Sequence, residues 1–266
     1  MEPDQKDALI MQLLDKVVRH MDKQDLTMRA MGAAAIRCHS ENFKNLHHSF
    51  RKLSDVDFVI YSKQTSKIEK AMSQLGFRSR PMGVTPEIFG RRRIVYYDVN
   101  GETLWTDIFI DSLEMNHMIE FKGRLEVDHP TIPLAELFMQ KTQIVRINEK
   151  DLKDLCILLL DHDIDKGDSN TINSSYIADI LSKDWGFYYT VTTNLDKLKN
   201  LMGNWANIFS DDQLKTIGER VDRLRNEIDA KDKSLRWKLR AKVGTKNVWY
   251  NSVEEVERAP FLEDQS

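Results

Sequence analysis

The sequence predicts an α+β protein: a mixed sheet flanked by helices over roughly residues 1–130, then an all-α region over 131–266. Three observations lead there. Period-two apolar residues, Val56, Phe58 and Ile60, and two β-rich arms around Asn100-Gly101 fall in the first half. Helical stripes stand beside them, led by Leu9, Leu13, Val17 and Met21. Beyond Pro130 and Pro133 the apolar spacing becomes three and four residues.

Taken in order, the first stripe makes an amphipathic helix. Met28–Met31 then reads as a short strand, Gly32 as a tight turn and Ala33–Cys38 as the start of a second helix. Unpaired N–H groups at a helix start suit a phosphate, although Gly32 also serves simply to turn the chain. Residues 41–54 lack a clear period and read as mostly loop. His47 and His48 are adjacent there and have no third ligand at zinc spacing. A strand from Val56 to about Tyr61 follows, then a helix over Lys63–Leu75 ended by Gly76, and a short strand from Phe77. Pro81, Gly83 and Pro86 mark an irregular connection. The runs Arg91–Val99 and Glu102–Ile110 form a hairpin, because Asn-Gly supplies the two positive-φ residues that a tight turn needs.

In the second half, Leu134, Leu137, Phe138 and Ile144 stripe one helix. Asn148 caps the next, with Asp151 at its third position. Asp161–Ser175 is polar and resembles a surface loop. Residues 176–202 fit two helices despite the β-prone Tyr188–Thr193. Leu214, Ile217, Val221, Leu224 and Ile228 define another helix, with a partner expected at Leu235–Lys242 and a peripheral segment from Trp249.

Composition narrows the class. With 30% charged and 41% apolar residues the chain is ordinary globular material, and its net charge of -3 gives no overall basic field for nucleic acid. The N-terminal residues are acidic and polar, unlike a signal peptide. No apolar run approaches the roughly 18 residues of a membrane span. Cys38 and Cys156 show no ligand spacing. A cytoplasmic, reduced protein is the expectation.

Chemistry concentrates in Arg51-Lys-Leu-Ser-Asp55-Val-Asp57. On a strand, Asp55 and Asp57 project from one face about 7 Å apart. They are either two solvated acids or oxygen ligands for a hard divalent cation. Asp107 and Asp111 fall on one face of the second hairpin arm about 13 Å apart, so only one can join them. Asp107, mid-strand, is preferred to Asp111 at the strand's end.

A strand, Gly32-Ala33 opening a helix, Asp55-Val-Asp57 and then Asp107 on a hairpin strand together resemble the nucleotidyltransferase fold of the DNA polymerase β superfamily. Ile132–Lys141 and Glu149–Leu155 are similar to the region after the catalytic domain in AbiEii-type toxin nucleotidyltransferases and their uncharacterised relatives. The resemblance covers roughly residues 27 to 160. It implies transfer of NMP from an NTP such as ATP to a hydroxyl of RNA (tRNA among them), a protein or a small molecule, by two-metal catalysis with Mg2+ (or Mn2+). Asp55, Asp57 and Asp107 would hold the metal. Gly32 and Ala33 would cradle phosphates, Lys141 would neutralise them, and Asp154 would orient Lys141 or the nucleotide. Arg51 would bind phosphate or pair with an acid, and Asp151 caps its helix. An antitoxin-like partner is also implied. Ala33 departs from the family's second Gly or Ser, so a degenerate member acting as a nucleotide-binding or protein-interaction module stands as the alternative.

Overall fold

A computed structural model describes residues 3–79, 93–98 and 105–253. Helix α1 (Pro3–Asp22) leads into β1 (Met28–Met31), α2 (Gly32–His39) and α3 (Lys44–Phe50). Next come β2 (Asp57–Ile60), a single 3-10 turn, α4 (Thr65–Gln74), β3 (Phe77–Ser79), β4 (Arg93–Asp98) and β5 (Trp105–Ile110). A small ladder, β6 (Ser112–Glu114) with β7 (Met118–Glu120), precedes α5 (Leu134–Thr142) and α6 (Glu149–Asp161). The two-residue strands β8 (Ile164–Asp165) and β9 (Ile172–Asn173) separate these from α7 (Ser174–Leu181), α8 (Trp185–Met202), α9 (Asp211–Ala230) and α10 (Leu235–Val243). The architecture is the expected α+β arrangement, a mixed sheet flanked by helices and followed by helices.

The main sheet runs β1-β2-β5-β4-β3. β2 and β5 are parallel and every other pairing is antiparallel. Period-two alternation sends Phe58 and Ile108, cross-strand partners, into the core, where both are fully buried. Helix α1 packs on β1 and α4, as its broad apolar stripe requires. Residues 130–132 run along the outer edge of β1: Ala30 N–H donates to the Pro130 carbonyl (3.0 Å) and Ile132 N–H to the Ala30 carbonyl (2.9 Å). That edge contact delivers α5 beside the start of α2. Buried residues from both sides of residue 130 form one continuous cluster, and α2 packs on both α5 and α6.

Several sequence expectations change. Residues 44–50 are helical rather than loop; α3 is short, and His47 on it is fully buried. The central strand starts at Asp57, so Asp55 lies outside it, in the segment that leads into the strand. The Asp161–Ser175 segment is not simply surface, because Ile164 and Ile172 pair within it and are fully buried. Helix α10 contacts α8 and buries none of its residues, so it does not complete an apolar pair with α9. Trp249 is half-buried rather than peripheral, its carbonyl packed so closely on Gly186 that a Cβ there would lie 2.3 Å away. Helices cover 176–202 as expected, broken between Leu181 and Trp185, so burial overrides the β-propensity of Tyr188–Thr193. The Asn100-Gly101 turn and the Pro81–Pro86 connection lie outside the described residues, although the arms β4 and β5 pair antiparallel as a hairpin would.

Truncating Phe58, on an interior strand, is expected to cost about 3–5 kcal/mol through lost burial and a residual cavity. The check is a lower urea midpoint at unchanged slope for Phe58→Ala; a loss below about 1 kcal/mol would contradict the packing of this strand.

Candidate functional site

The sheet register assembles the first part of the site. Phe58 pairs with Ile108 on the parallel strands, so one step toward the strand starts Asp57 lies beside Asp107. The antiparallel neighbours extend that row, with Met31 opposite Asp57 and Val95 opposite Asp107. Adjacent residues in such a row lie about 4.8 Å apart and face the same way. Thr106 fixes the alignment from below: its hydroxyl donates to the Val56 carbonyl at 2.7 Å, buried, immediately before Asp57.

Gly32 follows Met31 and brings backbone against this row. It has φ +76°, and a Cβ added there would sit 3.4 Å from Asp57 Oδ2. A larger residue would be both strained and pressed on the carboxylate. Its N–H donates to Gln140 Oε1 at 2.9 Å, so a side chain from α5 holds this end of the phosphate cradle expected at Gly32 and Ala33. Asp107 is buried and ion-paired with Arg93 Nη2 from the neighbouring strand. Asp55 is half-buried and accepts from the Ser54 hydroxyl at 2.9 Å. Asp111 leaves the strand with φ 61° and accepts the Ser62 N–H at 2.9 Å, a turn-forming role. Among the described residues, no three His, Cys, Asp or Glu side chains are grouped to hold a metal ion.

A second group of charges lies where α3, α5 and α6 meet. Asp154 is fully buried, with His47 Nε2 at 2.9 Å from Oδ1, and Lys141 Nζ at 2.9 Å and Arg51 Nε at 3.4 Å from Oδ2. Lys141 also reaches Asp151 Oδ1 at 2.7 Å. Asp151 therefore pairs with Lys141 as well as placing its N–H on the Asn148 cap at 3.0 Å. Arg37 Nε donates to His47 Nδ1 at 2.8 Å and Nη1 to Asp7 Oδ2 at 3.2 Å. Because Nδ1 accepts, the His47 proton sits on Nε2 and is donated to Asp154.

The titration of these groups follows from burial and pairing. Burial alone would raise the Asp154 carboxyl, but Lys141, the His47 hydrogen bond and Arg51 hold it well below the carboxylate range. Burial opposes charge on Lys141 too, yet Asp154 and then Asp151 raise its ammonium above the ordinary value. Burial depresses His47 below the usual imidazole value despite Asp154, which keeps it neutral.

The structure thus joins the candidates in two sets: Asp57, Asp107 and Gly32 around the sheet row, and Arg51, Lys141, Asp151 and Asp154 in the buried cluster. Sequence reasoning missed Arg93, Gln140, His47 and Arg37. Arg93 and Gln140 had readable positions, two residues from a strand partner of Asp107 and next to Lys141. His47 carried no signal once its short helix was overlooked.

No family model matches the chain, and no curated protein matches it. Among solved structures, the solution structure of the antibiotic-resistance factor ANT(2'')-Ia is similar at 14% identity and TM-score 0.38, covering 57% of this chain and 83% of its own. A crystal structure of ANT(2'')-Ia with adenylyl-2''-tobramycin gives 15% identity and TM-score 0.35 over 55% and 86%. An antigenic nucleotidyltransferase-like protein from Paracoccidioides brasiliensis gives 15% and 0.37 over 87% and 95%. Likeness at this level assigns no activity, and function is read from the residues.

Removing one partner of the buried cluster leaves an uncompensated charge, so Lys141→Ala is expected to cost about 3–5 kcal/mol. Adding Asp154→Asn should restore part of the loss; urea unfolding of the two single variants and the double variant checks this, and strict additivity would contradict the pairing. A pH effect follows from His117, buried and stacked on Phe187, which burial lowers to about 4. The unfolded chain takes up this proton near pH 6.5 and the folded one only near 4. Stability is therefore full above about 6.5 and declines as pH falls toward 4, and His47 and His162, also lowered, act in the same sense. Melting temperature against pH should fall across that window, and less steeply for His117→Gln.

Proposed function

We propose that the chain is a nucleotidyltransferase that moves NMP from an NTP to a hydroxyl acceptor. The observation that carries this reading is the sheet row: two carboxylates side by side on parallel strands, with the glycine that opens a helix 3.4 Å (from an added Cβ) from one of them. Nucleotidyl transfer needs those parts, oxygen ligands for charge-neutralising cations and backbone that can approach phosphates closely.

The donor set fits Mg2+, which takes hard oxygen ligands and commonly uses one or two protein carboxylates plus substrate phosphates. Asp57 and Asp107 would hold it, with Asp55, two residues before the strand's first residue, as a further ligand. When bound, the ion neutralises phosphate charge and lowers the pKa of the acceptor hydroxyl. The chain's own contribution is positional. Gly32 and Ala33 present the start of α2 to the phosphates, Gln140 steadies that turn, and Arg93 stands beside Asp107 as a counter-charge. Arg51 and Lys141, both held in orientation by Asp154, would meet the triphosphate only by exchanging part of their pairing with Asp151 and Asp154 for the phosphates. The AbiEii-like sequence pattern extends this reading to an antitoxin-like partner.

A second reading, a nucleotide-binding or interaction module without catalysis, is favoured by one observation: Arg93 already neutralises Asp107, and Ala33 supplies no hydroxyl. Labelled NTPs with Mg2+ and cell extract separate the two. Transfer of label to RNA, protein or small molecules should occur with the wild type. It should fall at least about 100-fold in Asp57→Asn and Asp107→Asn, consistent with loss of metal-assisted charge stabilisation. NTP binding without transfer would select the module, and no NTP binding at all would overturn both.

A further inference from the structure

Gln140 is placed to do more than hold the turn at Gly32. Its Oε1 accepts the Gly32 N–H at 2.9 Å, and that contact fixes which way the amide faces. A turned amide would set two donors against each other, so the oxygen belongs on the Gly32 side and the NH2 group beyond it. Gln140 Nε2 lies 4.0 Å from the point a Cβ of Gly32 would occupy, and Asp57 Oδ2 lies 3.4 Å from the same point. The amide donor and the carboxylate therefore border one notch, which is open because residue 32 carries no side chain. Its φ of +76° is a conformation that favours glycine on strain grounds as well.

The donor at this notch is not engaged by the protein. Among the described residues Gln140 Nε2 makes no hydrogen bond, and the side chain is half-buried rather than sealed in the core. The helix start adds a donor of the same kind. Met31, at the N-cap of α2, makes no side-chain cap, and the Ala33 N–H has no partner among the described residues. The first N–H groups of a helix lack intrahelical acceptors and carry partial positive charge. Two such donors together call for an anionic oxygen. Lys141, the next residue along α5, is already paired with Asp151 and Asp154, whereas Gln140 and Ala33 can meet a ligand without breaking an ion pair.

We propose that Gln140 binds the triphosphate directly. Its Nε2 donates to a phosphate oxygen, while its Oε1 holds the Gly32 turn that presents Ala33 to the same phosphates. The identity of the ligand rests on the nucleotidyl-transfer reading. An amide suits the position because one planar group accepts from the backbone and donates to the ligand. A carboxylate there could only accept, and an ammonium could only donate.

The test is calorimetric titration of the full chain with inorganic tripolyphosphate and with each NTP, in Mg2+, repeated with Gln140→Glu and Gln140→Met. Glu keeps an acceptor for the Gly32 N–H and removes the donor; Met removes both and adds no charge. Each variant should weaken tripolyphosphate and every NTP at least about tenfold, the loss expected for one hydrogen bond to a charged group. In heteronuclear NMR spectra of the wild type, the Gln140 NH2 pair, assigned by its absence from Gln140→Met, should shift as tripolyphosphate saturates. Should a variant unfold, that shift decides alone. Weakening by Glu only would reduce the effect to added charge, and weakening by Met only would reduce it to the hold on Gly32. Either result overturns the proposal, as does a stationary NH2 pair or a loss confined to one base. If the wild type binds NTP and transfers NMP while neither variant weakens, this inference falls and the transfer reading stands. Tripolyphosphate binding that depends on Gln140, without NMP transfer, gives the reverse, and no binding of either ligand by the wild type removes both.

Discussion

Asp154 carries a full negative charge where water does not reach, and the junction of the sheet with the helices depends on how that charge is met. A carboxylate stripped of water costs several kcal/mol unless its oxygens are paired. Here the partners come from separated parts of the chain: His47 from α3, Arg51 from the following segment and Lys141 from α5. Each partner is costly when buried alone. Arg37 and Asp7 extend the chain of contacts back to α1 through the acceptor nitrogen of His47. The cluster thus works as a registry device, because no arrangement that shifts α3 or α5 against α6 satisfies all its members.

The same contacts explain why the ionised forms persist. Lys141 sits between two carboxylates, so burial and pairing oppose each other and pairing prevails; His47 has one carboxylate and one guanidinium beside it, so burial prevails and it stays neutral. A neutral His47 donating one hydrogen bond orients Asp154 without cancelling its charge, which leaves that charge for Arg51 and Lys141.

Much of this was legible in the sequence where local rules govern. Period-two alternation placed Phe58 and Ile60 in the core, the Asn148 cap appeared where its spacing put it, and β1, Gly32 and α2 followed in the expected order. Long-range consequences were not legible. The start of β2 at Asp57 rather than Val56 depends on its ladder with β1 and β5, not on its own residues. Lys44–Phe50 is too short and too polar for a period to emerge, so a helix with a fully buried histidine read as loop. Arg51, Lys141 and Asp154 are ordinarily surface residues, and their burial reflects partners up to 107 positions apart in sequence. On α10 the error ran the other way: apolar residues at helical spacing marked a helix correctly but not a buried face, because spacing specifies which residues share a side and not what covers it.

Helix α5 shows why the sheet row and the charge cluster belong to one structure. Successive helical residues turn by about 100°, so four neighbours can point in four directions. Gln140 reaches Gly32 beside Asp57, Lys141 reaches Asp151 and Asp154, and Gln143 accepts from His117. The carbonyl of Thr142 accepts from Asn194 on α8. A helix buried on most sides needs partners for its polar groups. Here those of Gln140 Oε1, Lys141, Thr142 and Gln143 Oε1 lie on different elements, while Gln143 Nε2 is buried with no hydrogen-bond partner among the described residues. The edge contact of residues 130–132 with β1 sets the helix's starting point, and the polar contacts set its rotation. Turning α5 by one residue would aim Lys141 toward the Gly32 backbone and withdraw the counter-charge from Asp154. The geometry around Asp57 and the ionisation of Asp154 are therefore settled by one rotational choice, made at the helix that the row and the cluster share.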